Sequence, residues 1–201
     1  MKLIFATGNM GKMREIREIM ADLDVEVLSM KEAGVFADVE ENGSTFMENA
    51  FIKARAIAKN VKEQGIDAVV LADDSGLVVD ALNGEPGIYS ARYLGEDTSY
   101  AIKNANIIKR LEGVPDEERT ARFVCAIAAV FPDGSEKCSE ATYEGIIGYE
   151  EKGKNGFGYD PILYLPDRGC YSAELDMDEK NRISHRGKAL EAMKMQLKEL
   201  M

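Results

Sequence analysis

Five stretches of this sequence bring together side chains able to do chemistry. The first is Thr7-Gly8-Asn9-Met10-Gly11-Lys12, a glycine-bearing turn between an apolar run and a helical pattern. Backbone N–H groups in a tight turn, a helix N-terminus and one lysine make a cradle for an anion. A Walker A loop would need glycine where Ala6 stands and Ser or Thr where Met13 stands. A dinucleotide fingerprint would need a third glycine and a ribose-binding acid, and both are missing. The second stretch, Ala72-Asp73-Asp74-Ser75-Gly76, sets two carboxylates at the carboxyl end of an apolar strand, where metal and substrate sites gather in α/β folds. If strand geometry persists, only one of Asp73 and Asp74 faces a given cleft directly, and the other orients loop N–H groups or supports its neighbour. An Asx-turn without chemistry is the alternative.

The third stretch contains Glu40, Glu41, Glu48 and Lys53. Its acids read either as a solvated loop before a helix cap or as hard oxygen ligands for magnesium, which keeps several waters and takes one or two carboxylates. Glu41 and Asp74 would supply such a pair. The fourth holds the single histidine, His185, with Lys180, Arg182 and Arg186 around it at a helix start. Cations oppose the helix dipole there unless an anion or a base carbonyl accepts from them; a packed or surface histidine is the other reading. In Asn155-Gly-Phe-Gly-Tyr-Asp-Pro161, turn geometry explains Gly156, Gly158 and Pro161, while Phe157 would present a ring for a base to stack on.

The elements that must position these groups follow from periodicity. Lys2 to Thr7 reads as a buried strand, and Met13, Ile16, Ile19 and Met20 recur at helical spacing after it. Val25 to Ser29 is a second strand. Thr45 and Glu48 form a capping box for a helix of about five turns with Phe51, Ala54, Ile57, Ala58 and Val61 on one face, closed by Gly65. Asp67 to Leu82 reads as a strand, a polar break at Asp73 to Gly76, and a second short strand. Asp97 or Thr98 would cap a helix carrying Ile102, Ile107, Ile108 and Leu111. Ala121 to Phe131 and Cys138 to Ile147, joined by Pro132-Asp-Gly-Ser135, form a hairpin, and a glycine-rich turn leads into a strand at Ile162 to Leu165. Leu190, Met193, Leu197 and Leu200 mark a closing helix. Helices alternating with strands, plus the hairpin, predict a mixed α/β fold.

The whole chain bounds the function. Its 201 residues, 45% hydrophobic and 30% charged, suffice for one substantial core or two small lobes and exclude an obligate membrane protein. There is no apolar run of about 18 residues, and the first residues are too polar for a secretory segment, so a cytoplasmic location is expected. Three cysteines without a CxxC pair argue against a disulfide framework or structural zinc, and Cys125 reads as a small core residue. A net charge of −11 disfavours long nucleic acids, leaving a small polyanion held by local cations such as Lys12, Lys53, Lys180 and Arg186.

Six motifs in order, Thr7–Lys12, Glu48–Ala54, Ala72–Leu77, Gly87–Tyr93, Phe157–Pro161 and Ser184–Arg186, resemble the inosine triphosphate pyrophosphatase family. The resemblance implies one nucleoside-triphosphate pyrophosphatase domain over residues 1–201: an elongated mixed β-sheet flanked by helices, two lobes with an active-site cleft between them, and a homodimer. It implies magnesium-dependent hydrolysis of ITP, dITP and XTP to the monophosphate and pyrophosphate. Thr7, Gly8, Asn9, Met10, Gly11 and Lys12 would hold the triphosphate, with Lys53 stabilising the departing pyrophosphate. Asp74 would be general base and metal ligand, with Ser75 binding substrate beside it. The second metal-binding acid falls at Glu40 or Glu41, with Glu41 favoured because it lies two residues before Gly43. Phe157, Gly158, Tyr159, Asp160 and Lys180 would contact the nucleoside, and His185 with Arg186 would read the base. Rival readings are a Maf-type pyrophosphatase acting on dTTP or UTP, and a nucleotide-binding module without turnover.

Overall fold

The computed structural model describes residues 1–199, and the helix position expected at Leu200 lies outside them. Among the described residues the strands are β1 (Lys2–Phe5), β2 (Glu26–Ser29), β3 (Val69–Val79), β4 (Thr120–Val130), β5 (Glu136–Ile147), β6 (Leu163–Leu165) and β7 (Cys170–Tyr171). The α-helices are α1 (Met10–Met20), α2 (Phe46–Glu63), α3 (Tyr100–Arg110), α4 (Met177–Ile183) and α5 (His185–Lys198). The strands make one open sheet in the order β2-β1-β3-β4-β5-β6-β7. β1 runs parallel to β2 and β3, whereas β6 is antiparallel to β5 and β7, so the sheet is mixed, as the alternation followed by a hairpin predicts.

The contacts group into two compact units. The first comprises residues 1–74, 125–141 and 186 onward; the second comprises residues 75–124 and 142–185. In the first unit, strand alternation divides the core into two layers. Leu3, Phe5, Val69, Leu71, Cys125 and Ile127 pack with Met13 and Ile16 of α1 and with Leu190, Met193 and Leu197 of α5. Ile4, Ala6, Val70, Ala72, Ala126 and Ala128 pack on the opposite face with Ala50, Ala54, Ile57 and Val61 of α2. Each fully buried Leu, Ile or Met stabilises the fold by about 1.5–3 kcal/mol, so these layers lock both helix sets to the strands that carry the acids. In the second unit, Leu77 and Val79 of β3 join Ile107 and Leu111 of α3, Phe123, Tyr143 and Tyr159 in a separate core.

Three local expectations are corrected. The polar break at Asp73 to Gly76 does not form: β3 continues through it to Val79. Each acid has a side-chain partner in place, Lys12 for Asp73 and Asn49 for Asp74, so the polar run needs no turn to find one. The α3 cap is Ser99, whose side chain accepts from Ile102 N, rather than Asp97 or Thr98. At α2, Thr45 accepts from Glu48 N as a cap should, but the Glu48 carboxylate turns to the N–H and hydroxyl of Ser44, each at 2.7 Å, so the box is displaced by one residue. The short β7 and helix α4 carry no apolar period long enough to be read in advance.

Candidate active site

The first unit brings together the turn, the acid pair and three cations. β1 ends at Phe5 and α1 opens at Met10, so residues 6–9 form the turn. Asn9 caps α1: its Oδ1 accepts from Gly11 N at 2.9 Å and Lys12 N at 3.1 Å, while Thr7 Oγ1 accepts from Asn9 N at 3.1 Å. Two of the amides expected to cradle an anion are thus already held by a side-chain oxygen, and the turn keeps its shape on its own. Gly8 and Met10 lie exposed on it.

Alternation along β3 sends the two aspartates to opposite faces. Asp73 follows Val69 and Leu71 toward α1 and α5, and it is fully buried. There Lys12 Nζ lies 2.8 Å from Asp73 Oδ2, and Arg186 Nε lies 3.7 Å from the same oxygen. Arg186 also donates from Nη1 to Glu15 Oε2 of α1 at 2.9 Å. Burial by itself would raise the Asp73 carboxyl, but Lys12, Arg186 and Lys53 outweigh it and hold Asp73 far below the usual carboxylate range.

Asp74 follows Val70 and Ala72 toward α2 and is half-buried. Its Oδ2 accepts from Asn49 Nδ2 of α2 at 3.1 Å. Burial pushes the Asp74 carboxyl up to about 6; the Glu41 and Asp73 carboxylates add to the push, while the Asn49 amide and the Lys53 ammonium oppose it. Lys53 Nζ reaches Glu41 Oε1 at 2.9 Å and the Asp73 carbonyl at 3.0 Å. Burial opposes its charge, but Asp73, Glu41 and Asp74 more than compensate and raise the ammonium above its ordinary value. Glu41 is half-buried against Lys53, whereas Glu40 is exposed.

Among the described residues no group of three or more His, Cys, Asp or Glu side chains is placed to hold a metal ion. Glu41, on Lys53 Nζ at 2.9 Å, and Asp74, tied through Asn49 to Gly43 of the same loop, are two hard carboxylates of the kind that suits magnesium. That ion is content with one or two carboxylates, leaving its other positions to water and phosphate oxygens.

The second unit holds the remaining predicted residues. Ser75 is half-buried in β3. Phe157 is 40% exposed in the turn before β6, and its N–H donates to Asp160 Oδ2 at 3.0 Å. Asp160 is buried, accepting from Ser172 Oγ at 2.8 Å and from Lys180 Nζ of α4 at 2.6 Å. The same ammonium lies 5.3 Å from the centre of the Phe157 ring. Gly156 stands at φ 73°, and a Cβ there would come within 2.3 Å of Asp160 Oδ2, so only glycine fits. Gly158 O accepts from Asn104 Nδ2 at 3.2 Å, and Tyr159 is buried, donating to Ser90 O at 2.6 Å. His185 is buried and stacks on Phe123 at 4.8 Å and on Tyr143 at 6.3 Å.

Sequence reasoning missed four of these partners. Asn49 and Glu15 are polar residues at the buried edges of α2 and α1, next to Ala50 and Ile16; that misplaced polarity was the available signal. Ser172 and Asn104 carried none.

An open mixed sheet with a capped helix N-terminus, an ionised buried acid and a second acid able to hold a proton near neutrality defines an α/β protein equipped to bind an anion and move a proton beside it. The chain belongs to the Ham1 family, whose model matches residues 3–196. It is 48% identical over 199 residues to a dITP/XTP pyrophosphatase of Geobacillus kaustophilus, covering 99% of this chain and 95% of the relative. A dITP/XTP pyrophosphatase of Desulforamulus reducens is 50% identical over 190 residues, covering 94% of this chain and 92% of the relative. The solved structure of a Ham1 protein from Coxiella burnetii superposes with a TM-score of 0.89 at 42% identity, covering 99% of each chain.

Proposed function

We propose that this chain hydrolyses non-standard purine nucleoside triphosphates, dITP, ITP and XTP, to the monophosphate and pyrophosphate, acting as a magnesium-dependent homodimer on the cytoplasmic nucleotide pool. The observation that carries the reading is the split acid pair: Asp73 ionised against Lys12 and Arg186, Asp74 poised near pH 6 beside Glu41. Its full-length likeness to dITP/XTP pyrophosphatases supports the choice of substrate.

In the first unit, the Thr7–Lys12 turn and the α1 N-terminus hold the triphosphate by partial positive charge, and Lys12 and Lys53 neutralise the oxygens that gain charge as pyrophosphate leaves. Asp74 accepts the proton of the attacking water; a pKa near neutrality keeps it mostly ionised yet basic enough to act. Asp73, too acidic for that task, keeps Lys12 in place. Glu41 and Asp74 hold the magnesium ion, which when bound offsets the charge of the phosphate oxygens. In the second unit, Phe157 offers the base a ring, and the Asp160–Lys180 pair, with Gly158 and Tyr159, fixes the turn that carries it. Ser75 binds substrate beside Asp74. His185, kept flat by Phe123 and Tyr143, donates to the 6-oxo group that adenine lacks, and Arg186 serves the same reading with its direction set by Glu15.

The test is pyrophosphate release from dITP, XTP, dGTP, dATP, dTTP and UTP with magnesium. Preference for dITP and XTP is expected. Preference for dTTP or UTP would favour the Maf-type reading, and binding without release would reduce the chain to a nucleotide-binding module.

A further inference from the structure

The two acid-bearing segments of the first unit are joined by one side chain. Asn49 lies on the buried edge of α2 and is 1% exposed. Its Nδ2 donates to Asp74 Oδ2 at 3.1 Å, and its Oδ1 accepts from Gly43 N at 2.8 Å. Gly43 belongs to the loop that carries Glu41, two residues earlier. One amide therefore ties β3 to the acidic loop, and its donor end and acceptor end cannot be exchanged without losing both bonds. The loop is fitted closely against it: a Cβ on Gly43 would come within 2.7 Å of Asn49 Oδ1 and 2.8 Å of Glu48 Cβ. Lys53, one helical turn along α2, pairs with Glu41 on one side and the Asp73 carbonyl on the other, so the same helix face spans both segments a second time.

We propose that Asn49 is a positioning residue that holds Asp74 and the Glu41 loop in one fixed arrangement, and through them the magnesium ion the reaction uses. The inference rests on the pyrophosphatase reading. An unanchored Asp74 would rotate about its side-chain bonds, and an unanchored Gly43 would let Glu41 drift. Partners that orient ligands in this way are worth about 10–100-fold in metal affinity or activity when removed.

Three variants test it. Asn49→Asp fits the same space and keeps the acceptor for Gly43 N but loses the donor to Asp74. Asn49→Leu keeps the bulk and loses both bonds. Gly43→Ala keeps the asparagine at position 49 but displaces its side chain through the added Cβ. Each is assayed for pyrophosphate release from dITP, and for Asn49→Leu the Mn²⁺ midpoint is read from thermal-shift titrations without nucleotide. Expected are a kcat about 10–100-fold lower in both Asn49 variants, a KM for dITP within about threefold of wild type, and a Mn²⁺ midpoint about tenfold higher for Asn49→Leu. Gly43→Ala shows the same kcat loss in weaker form. A kcat within twofold of wild type in folded Asn49→Asp and Gly43→Ala, with wild type turning over dITP, overturns the role of Asn49 alone. Wild type failing to release pyrophosphate from any triphosphate overturns the function and this inference together. If Asn49→Leu does not fold, the other two variants decide.

Discussion

Replacing Asp74 by Asn should abolish turnover and, above pH 6, make the protein more stable. The carboxyl stands at about 6 against an ordinary 3.8, chiefly because burial disfavours its charge. A raised pKa means that the folded state holds a proton the unfolded chain has already released. Below about pH 4 both states are protonated and the site costs nothing. As pH rises through the window from about 4 to 6, the unfolded chain has released the proton that the folded state still holds, and stability falls until the folded state loses it too near pH 6. Two pK units at about 1.36 kcal/mol each put the penalty on the order of 3 kcal/mol above pH 6. An asparagine has the same shape, carries no charge and can present its oxygen to the Asn49 amide, so it escapes the penalty. At about 2–4 °C per kcal/mol for a chain of this size, the variant should melt roughly 6–12 °C above wild type at pH 8. The two should converge near pH 4. Thermal melts in EDTA at pH 4, 5, 6, 7 and 8 measure this, with kcat for dITP alongside, expected to fall at least about 100-fold through loss of the base. A variant less stable than wild type at pH 8, or a gap that does not change with pH, would refute the electrostatic account of Asp74; retention of more than about a twentieth of kcat would refute its role as base.

Three further outcomes are expected. Chelation by EDTA should stop pyrophosphate release and magnesium or manganese should restore it; undiminished activity in EDTA rules out the metal-assisted reading. Asp160→Asn leaves the Lys180 ammonium buried without its carboxylate and should cost about 3–5 kcal/mol in urea unfolding, with much of that recovered in Asp160→Asn combined with Lys180→Met; a loss below about 1 kcal/mol means the pair is not structural. His185→Asn removes the stacked ring and its donor, and should narrow the preference for dITP over dATP by about 1–3 kcal/mol in kcat/KM; an unchanged ratio removes His185 from base reading.

Much of the architecture was legible because it rests on burial. The α1, α2 and α5 stripes are repeats of apolar residues at helical spacing, and Leu190, Met193 and Leu197 are fully buried as their spacing requires. The mixed sheet followed from a hairpin placed after alternating helices and strands. The continuous β3 was not legible. Asp-Asp-Ser-Gly has the composition of a turn, and only the Lys12, Arg186 and Asn49 side chains, distant in sequence, let it stay extended and buried. The same holds for Asp160, whose carboxylate is spent on Lys180, Ser172 and the Phe157 N–H in the folded protein.

The acid pair shows where reading residues ends and reading partners begins. That Asp73 and Asp74 must face opposite ways follows from strand alternation alone. Which one keeps its charge does not, since the two are chemically identical neighbours on one strand. The answer lies in what covers each face. α1 and the start of α5 bring Lys12 and Arg186 to the Asp73 side, and α2 brings the neutral amide of Asn49 to the Asp74 side. Burial disfavours charge on both and Lys53 acts on each, so Lys12 and Arg186 on one side, against the Asn49 amide and the Glu41 carboxylate on the other, decide between a carboxylate that never takes up a proton at working pH and one that does so near neutrality. Exchanging the cover would exchange the roles: the strand supplies two acids, and the helices packed on its two faces decide which of them can move a proton.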